Sequence, residues 1–76
     1  MEREIKVGEH YKHFKGMEIE IVLIAKDTET LEELIIYHHV GKDEYWARAK
    51  SNFLSEVDHE KYPEVKQKYR FERLSD

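Results

Sequence analysis

Apolar and polar positions alternate in short bursts along this chain, and turn-forming residues interrupt the bursts at close spacing. From Met17 to Lys26, Ile19, Ile21, Leu23 and Ala25 alternate with Glu18, Glu20, Val22, Ile24 and Lys26. That period of two sends successive side chains to opposite faces of a strand. The second half of the run is apolar on both faces, as in a strand covered on both sides within a small barrel. Before it, Gly8 to Phe14 is short and aromatic and ends at Lys15 and Gly16, where glycine supplies the positive φ of a tight turn. After it, Asp27, Thr28, Glu29 and Thr30 carry side chains that bond their own backbone in turns. Leu34 to Tyr37 then resumes with β-branched and aromatic residues, so a hairpin is predicted.

Gly41, Lys42 and Asp43 form the next turn. In the strand predicted from Glu44 to Ala49, Tyr45, Ala47 and Ala49 share one face and Trp46 and Arg48 the other. Ser51 to Val57 suits one helical turn, with Ser51 as its cap. Pro63 then interrupts any regular element, and Tyr69 to Leu74 alternates again as a closing strand. The fold class expected is mostly β: a small SH3-like, alternatively OB-like, five-stranded barrel with one short helical turn. Its expected core includes Ile19, Ile21, Leu23, Ile36 and Phe53, with Trp46 also buried.

Length restricts the architecture further. A second domain within 76 residues would leave neither half able to bury a core, so residues 1–76 are expected to form a single domain. The absence of cysteine excludes disulfides, thiolate nucleophiles and cysteine-ligated metals. Charge where a signal peptide needs an apolar stretch, and no apolar run of spanning length, predict a cytoplasmic protein without membrane association. The net charge of −4 disfavours broad phosphate binding. Lys61, Lys66, Lys68, Arg70 and Arg73 nevertheless form a basic C-terminal segment.

Three ordered motifs carry a family resemblance: Tyr11, His13, Lys15 and Gly16; Thr30, Glu32, Glu33 and Leu34; and Trp46 with Arg48. Together with Tyr37 and Phe53 they make residues 8–54 resemble a bacterial family catalogued as domain of unknown function 1653. The resemblance implies no activity, because that family is uncharacterised. Asp27 stands where the family commonly has histidine, Ala49 where proline usually follows the arginine, and the connection from Tyr37 to Trp46 is shorter. The tail after Val57 is longer than the resemblance leads one to expect, so the basic segment is expected to be peculiar to this chain.

The candidate chemistry is sparse. His10 and His13, like His38 and His39, fall on opposite faces of a strand and cannot chelate locally, which leaves His13 with His38 as a pairing across strands. No metal or other cofactor is expected. Ser51, Ser55, Ser75, Thr28 and Thr30 lack the setting of an activated nucleophile, and the three separated glycines make no phosphate loop. No enzymatic activity is expected. The ligand-binding candidates are Tyr11, His13, Tyr37, Trp46 and Arg48, aromatic faces and polar tips on neighbouring strands. They suggest a binding module for a protein, short peptide or small molecule. The competing structural explanation puts Trp46 in the core and pairs Arg48 with an acid such as Glu33. The alternative function is RNA or single-stranded nucleic-acid binding, with bases on these aromatics and phosphates on the basic segment, making weak contact at most.

Overall fold

A computed structural model of the chain describes residues 4–74. Five strands, β1 (His10–His13), β2 (Glu18–Lys26), β3 (Glu33–His39), β4 (Tyr45–Ala49) and β5 (Phe71–Arg73), and one helical turn, α1 (Lys50–Phe53), follow the elements expected from the sequence. All strand pairs are antiparallel, in the order β4-β3-β2-β1-β5. No helix among the described residues is long and apolar enough to cross a membrane.

The turns have the predicted chemistry. Gly16 takes φ 101° between β1 and β2, where its N–H donates to the His13 carbonyl at 2.7 Å, and Gly41 takes φ 86° between β3 and β4. An L side chain would be strained at either position. In the β2–β3 turn the Asp27 carboxylate accepts the Glu29 and Thr30 N–H groups at 2.8 and 3.2 Å, and the Thr30 hydroxyl accepts the Glu32 N–H at 3.2 Å. Leu31 occupies the left-handed region at φ 63°, a position that costs a side chain about 1–2 kcal/mol.

The sheet does not close into a barrel: β4 and β5 stand at opposite ends of the strand order. The chain between them explains why. Phe53 of α1 stacks on Phe71 of β5 with ring centroids 4.2 Å apart and planes 5° from parallel. The Arg70 N–H donates to the Ser55 carbonyl at 2.9 Å, and Glu56 bridges to Tyr69. Side chains and an irregular segment therefore cover the ground that a β4–β5 ladder would have covered. Contrary to the expectation from sequence, Ser51 does not cap α1. The helix starts at Lys50 with Ala49 as its N-cap residue and no side-chain cap, and the Ser51 hydroxyl donates to Glu32 at 2.7 Å instead.

The core consists of Ile5, Tyr11, Ile19, Ile21, Ile35, Tyr37, Phe53 and Phe71, with Ile24 and Leu54 packed against it. Ile19, Ile21 and Phe53 are buried as expected, but Leu23 is 46% exposed and Ile36 only partly buried. A register shift between Ile21 and Leu23 is the cause: Ile21 pairs with Tyr37 and Leu23 with Ile36, leaving Val22 as an extra residue. Such a bulge reverses the side-chain alternation beyond it. Ile24, opposite the buried Ile35, takes the inward place.

Candidate functional site

Tyr37, Trp46 and Arg48 reach the inner face of the sheet through the β3–β4 register. Tyr37 lies opposite Trp46, and the buried Ile35 lies opposite Arg48. His13 arrives from the end of β1, paired with Phe71 of β5. With Met17, His39 and Phe71, these four line a cavity of about 180 Å³. Met17, His39 and Trp46 also border an adjoining hollow of about 470 Å³, completed by Glu18, Val40, Lys42 and Glu44.

Trp46 is not core. Its indole is 48% exposed on an end strand, and it meets the His39 ring edge-on at a centroid distance of 6.4 Å. Arg48 does not pair with Glu33, which instead accepts an ion pair from Lys50 at 3.1 Å. The Arg48 guanidinium lies 5.1 Å from the Phe71 ring centroid. It donates from Nε to the Tyr37 hydroxyl at 3.4 Å and from Nη1 to Asn52 Oδ1. Among the described residues no carboxylate stands within ion-pair distance of it.

His13 is locked by its surroundings. Its ring stacks on Phe14 at 4.5 Å and meets Phe71 edge-on at 4.9 Å, and Nδ1 accepts the Lys15 backbone N–H at 3.1 Å. Burial, reinforced by the positive charges of Arg48, Lys15 and Arg70, lowers its pKa to about 4, so the ring is neutral near pH 7. Since Nδ1 is the acceptor, the ring proton resides on Nε2.

Tyr11 does not join the group. It is buried on β1, edge-on to Phe53 at 5.1 Å, with its hydroxyl donating to Glu9 at 3.0 Å. Four of the five candidates therefore converge, and the fifth supports the core beneath them. His39, Met17 and Asn52 contribute without having been expected to. His39 was legible in principle, because it follows Tyr37 by two on one strand and shares its face. Asn52 carried no signal, since its role depends on how α1 docks.

The His13 and His38 pairing is also ruled out by face. His38 points outward, where its Nε2 lies 3.0 Å from Glu20 and its Nδ1 lies 2.9 Å from the Lys42 carbonyl. The Glu20 contact, then the carbonyl, raises its pKa. His10 joins the same outer row, 2.6 Å from Glu18. No group of three or more histidine, aspartate or glutamate residues among the described residues is arranged to hold a metal ion.

The basic segment is divided. Lys61 lies over Tyr62, which packs on Phe14 at 5.1 Å, so it approaches the His13 side of the cavity. Lys15 lies over the same two rings, at 5.9 Å from Phe14 and 5.7 Å from Tyr62. Arg70 donates to the Ser55 hydroxyl at 2.9 Å, and Arg73 pairs with Glu9 at 3.4 Å. Lys68 lies over Tyr69.

Comparison with known proteins gives a family match: a family described as protein of unknown function (DUF1653) matches residues 9–73. The matched span runs well past residue 54 and includes the basic segment, which is therefore not an addition peculiar to this chain. No curated protein and no solved structure matches the chain.

Proposed function

We propose that this chain, which belongs to the DUF1653 family of proteins of unknown function, is a non-catalytic binding module whose groove receives a short peptide segment or a small molecule. One observation carries the reading: an exposed indole stands beside a guanidinium that no carboxylate among the described residues neutralises, over a cavity floored by Tyr37 and Phe71. Aromatic walls supply apolar contact, and a planar fork of donors supplies direction, the combination common in ligand sites. In this reading the chain is an SH3-like module of the bacterial cytoplasm. The strand order, with a helical turn between β4 and β5, supports that architecture.

A thermal-shift screen of peptides and small molecules tests the proposal, because a ligand that binds only the folded chain raises its melting temperature. Hits should stabilise the wild type and not Arg48→Ala. Trp46→Phe should weaken binding, and Trp46→Ala should abolish it. The latter should cost about 1–2 kcal/mol of stability, less than the 3–5 kcal/mol of a buried aromatic, because half the indole is already in water. Hits that stabilise Arg48→Ala and Trp46→Ala as well as the wild type would refute the groove.

A second reading, RNA or single-stranded nucleic-acid binding, has its own support: His13, Phe14 and Tyr62 form a run of rings flanked by Lys15 and Lys61. Against it stand the net charge of −4 and the dispersal of Lys68 and Arg73. Fluorescence anisotropy with single-stranded RNA should give weak binding that vanishes by physiological salt. Submicromolar binding there would put this reading first.

A further inference from the structure

We infer that the cavity beside Trp46 takes the anionic end of a flat apolar molecule, a carboxylate carried on an aryl body. The inference rests on the groove reading and names its ligand class.

Among the described residues the lining carries no acid: His13, His39 and Arg48 are its basic groups, and Tyr37, Trp46 and Phe71 add aromatic faces, with the indole N–H a further donor. Glu18 and Glu44 border only the adjoining hollow, where Lys42 accompanies them. An anion therefore has one preferred end of the groove, at Arg48. The guanidinium is also preorganised. Tyr37, Asn52 and the face of Phe71 fix its plane, while its Nη2 group has no protein acceptor among the described residues. A fork held in this way matches the two oxygens of a carboxylate without a further loss of side-chain freedom.

His13 supplies a second donor. The Lys15 N–H occupies Nδ1, which leaves Nε2–H as the donor of a neutral ring lining the same cavity. Lys15 and Arg70, which have no carboxylate within ion-pair distance among the described residues, add positive potential around that ring. Size agrees with the chemistry. An apolar cavity of about 150 Å³ holds a benzene ring, and this one measures about 180 Å³ and opens beside an exposed indole.

The test is an NMR titration of the ¹⁵N-labelled chain with benzoate, read at the indole N–H of Trp46, the only tryptophan. Benzyl alcohol, with the same body and no charge, serves as the control. Benzoate should shift the indole signal saturably and bind at least tenfold more tightly than benzyl alcohol. At saturation it should raise the His13 titration midpoint, since a bound anion favours the imidazolium. Arg48→Lys, which keeps the charge and loses the fork, should weaken benzoate at least tenfold. Arg48→Ala should abolish binding while keeping the dispersed amide spectrum of a folded chain. N-acetylphenylalanine tells the ligand's source: tighter binding than benzoate indicates the C-terminus of a peptide, and weaker binding a free aryl acid, the anion site standing in either case. Equal affinity for benzoate and benzyl alcohol would overturn the inference and leave the groove reading intact. Unchanged benzoate affinity in both Arg48 variants, or no shift of the indole signal in the wild type, would also overturn it.

Discussion

His13 and His38 show how far one residue type can be driven in opposite directions within a small sheet. His13 faces the cavity, where burial and nearby cations lower its midpoint to about 4, whereas His38 faces outward onto Glu20, which raises it above 6.5. Histidine ring signals followed by NMR should show His13 titrating near pH 4 and His38 above pH 6.5. The stability consequences have opposite signs. Between pH 6.5 and 4 the unfolded chain protonates at position 13 and the native chain does not, so the native state loses stability as pH falls through that window. Because the ring is partly open to solvent, screening limits this to about 1 kcal/mol. His38 stabilises fully below pH 6.5, and its contribution is lost as pH rises through its raised midpoint. In His13→Asn, whose amide oxygen can still accept the Lys15 N–H, the urea midpoint should fall less between pH 6.5 and 4 than in the wild type. Identical pH profiles would mean that His13 titrates normally.

At the scale of the element, β2 shows what one inserted residue does. The alternation of Ile19, Ile21 and Leu23 reads as an unbroken inward face, yet the bulge ends that face at Ile21 and hands it to Ile24. Ile21→Ala should therefore cost about 2–5 kcal/mol. Leu23→Ala, at a side chain 46% exposed, should cost less than about 1 kcal/mol. Urea unfolding of the two variants checks the contrast, and equal losses would place the bulge elsewhere. Leu31, exposed at φ 63°, offers a local gain: Leu31→Gly removes the steric penalty at the price of a more flexible unfolded chain. The net effect should be a stabilisation of about 0.5–1 kcal/mol, read as a higher urea midpoint.

At the scale of the whole molecule, an open sheet is completed by rings rather than by hydrogen bonds between its end strands. Phe53 from α1 and Phe71 from β5 stack at the centre, Tyr11 and Tyr37 meet Phe53, and Tyr37 also meets Phe71. For 76 residues the total stability is about 4–11 kcal/mol, and Phe53→Ala should remove about 3–5 kcal/mol of it. That variant should be largely unfolded or melt far below the wild type by circular dichroism, and Phe53→Leu should be much milder. A Phe53→Ala chain as stable as the wild type would show that α1 does not close the core.

Strand periodicity, turn residues and their spacing were enough to specify five strands, a helical turn after β4, and the shared face of Trp46 and Arg48, because each depends on neighbours within a few residues. The β3–β4 turn likewise set Tyr37 opposite Trp46 and near Arg48, whereas His13, on a strand three positions from β4 in the sheet, reached the same cavity only through the packing of the folded chain. Whether the sheet closed, where the bulge fell and which aromatics remained exposed were not local matters. A bulge is a choice of register between two strands, so Leu23 looked as inward as Ile21 until β3 was paired with β2. Tyr11 and Trp46 have similar apolar bodies, and only position in the sheet separates them: Tyr11 lies on β1 between two partners, with Phe53 over it, while Trp46 lies on a strand that pairs on one side alone. Arg48 had acids within reach by sequence, but Lys50 took Glu33 and Asn52 came round on α1 to hold the guanidinium. Partner choice among charges depends on three-dimensional distance, and only the folded chain sets it.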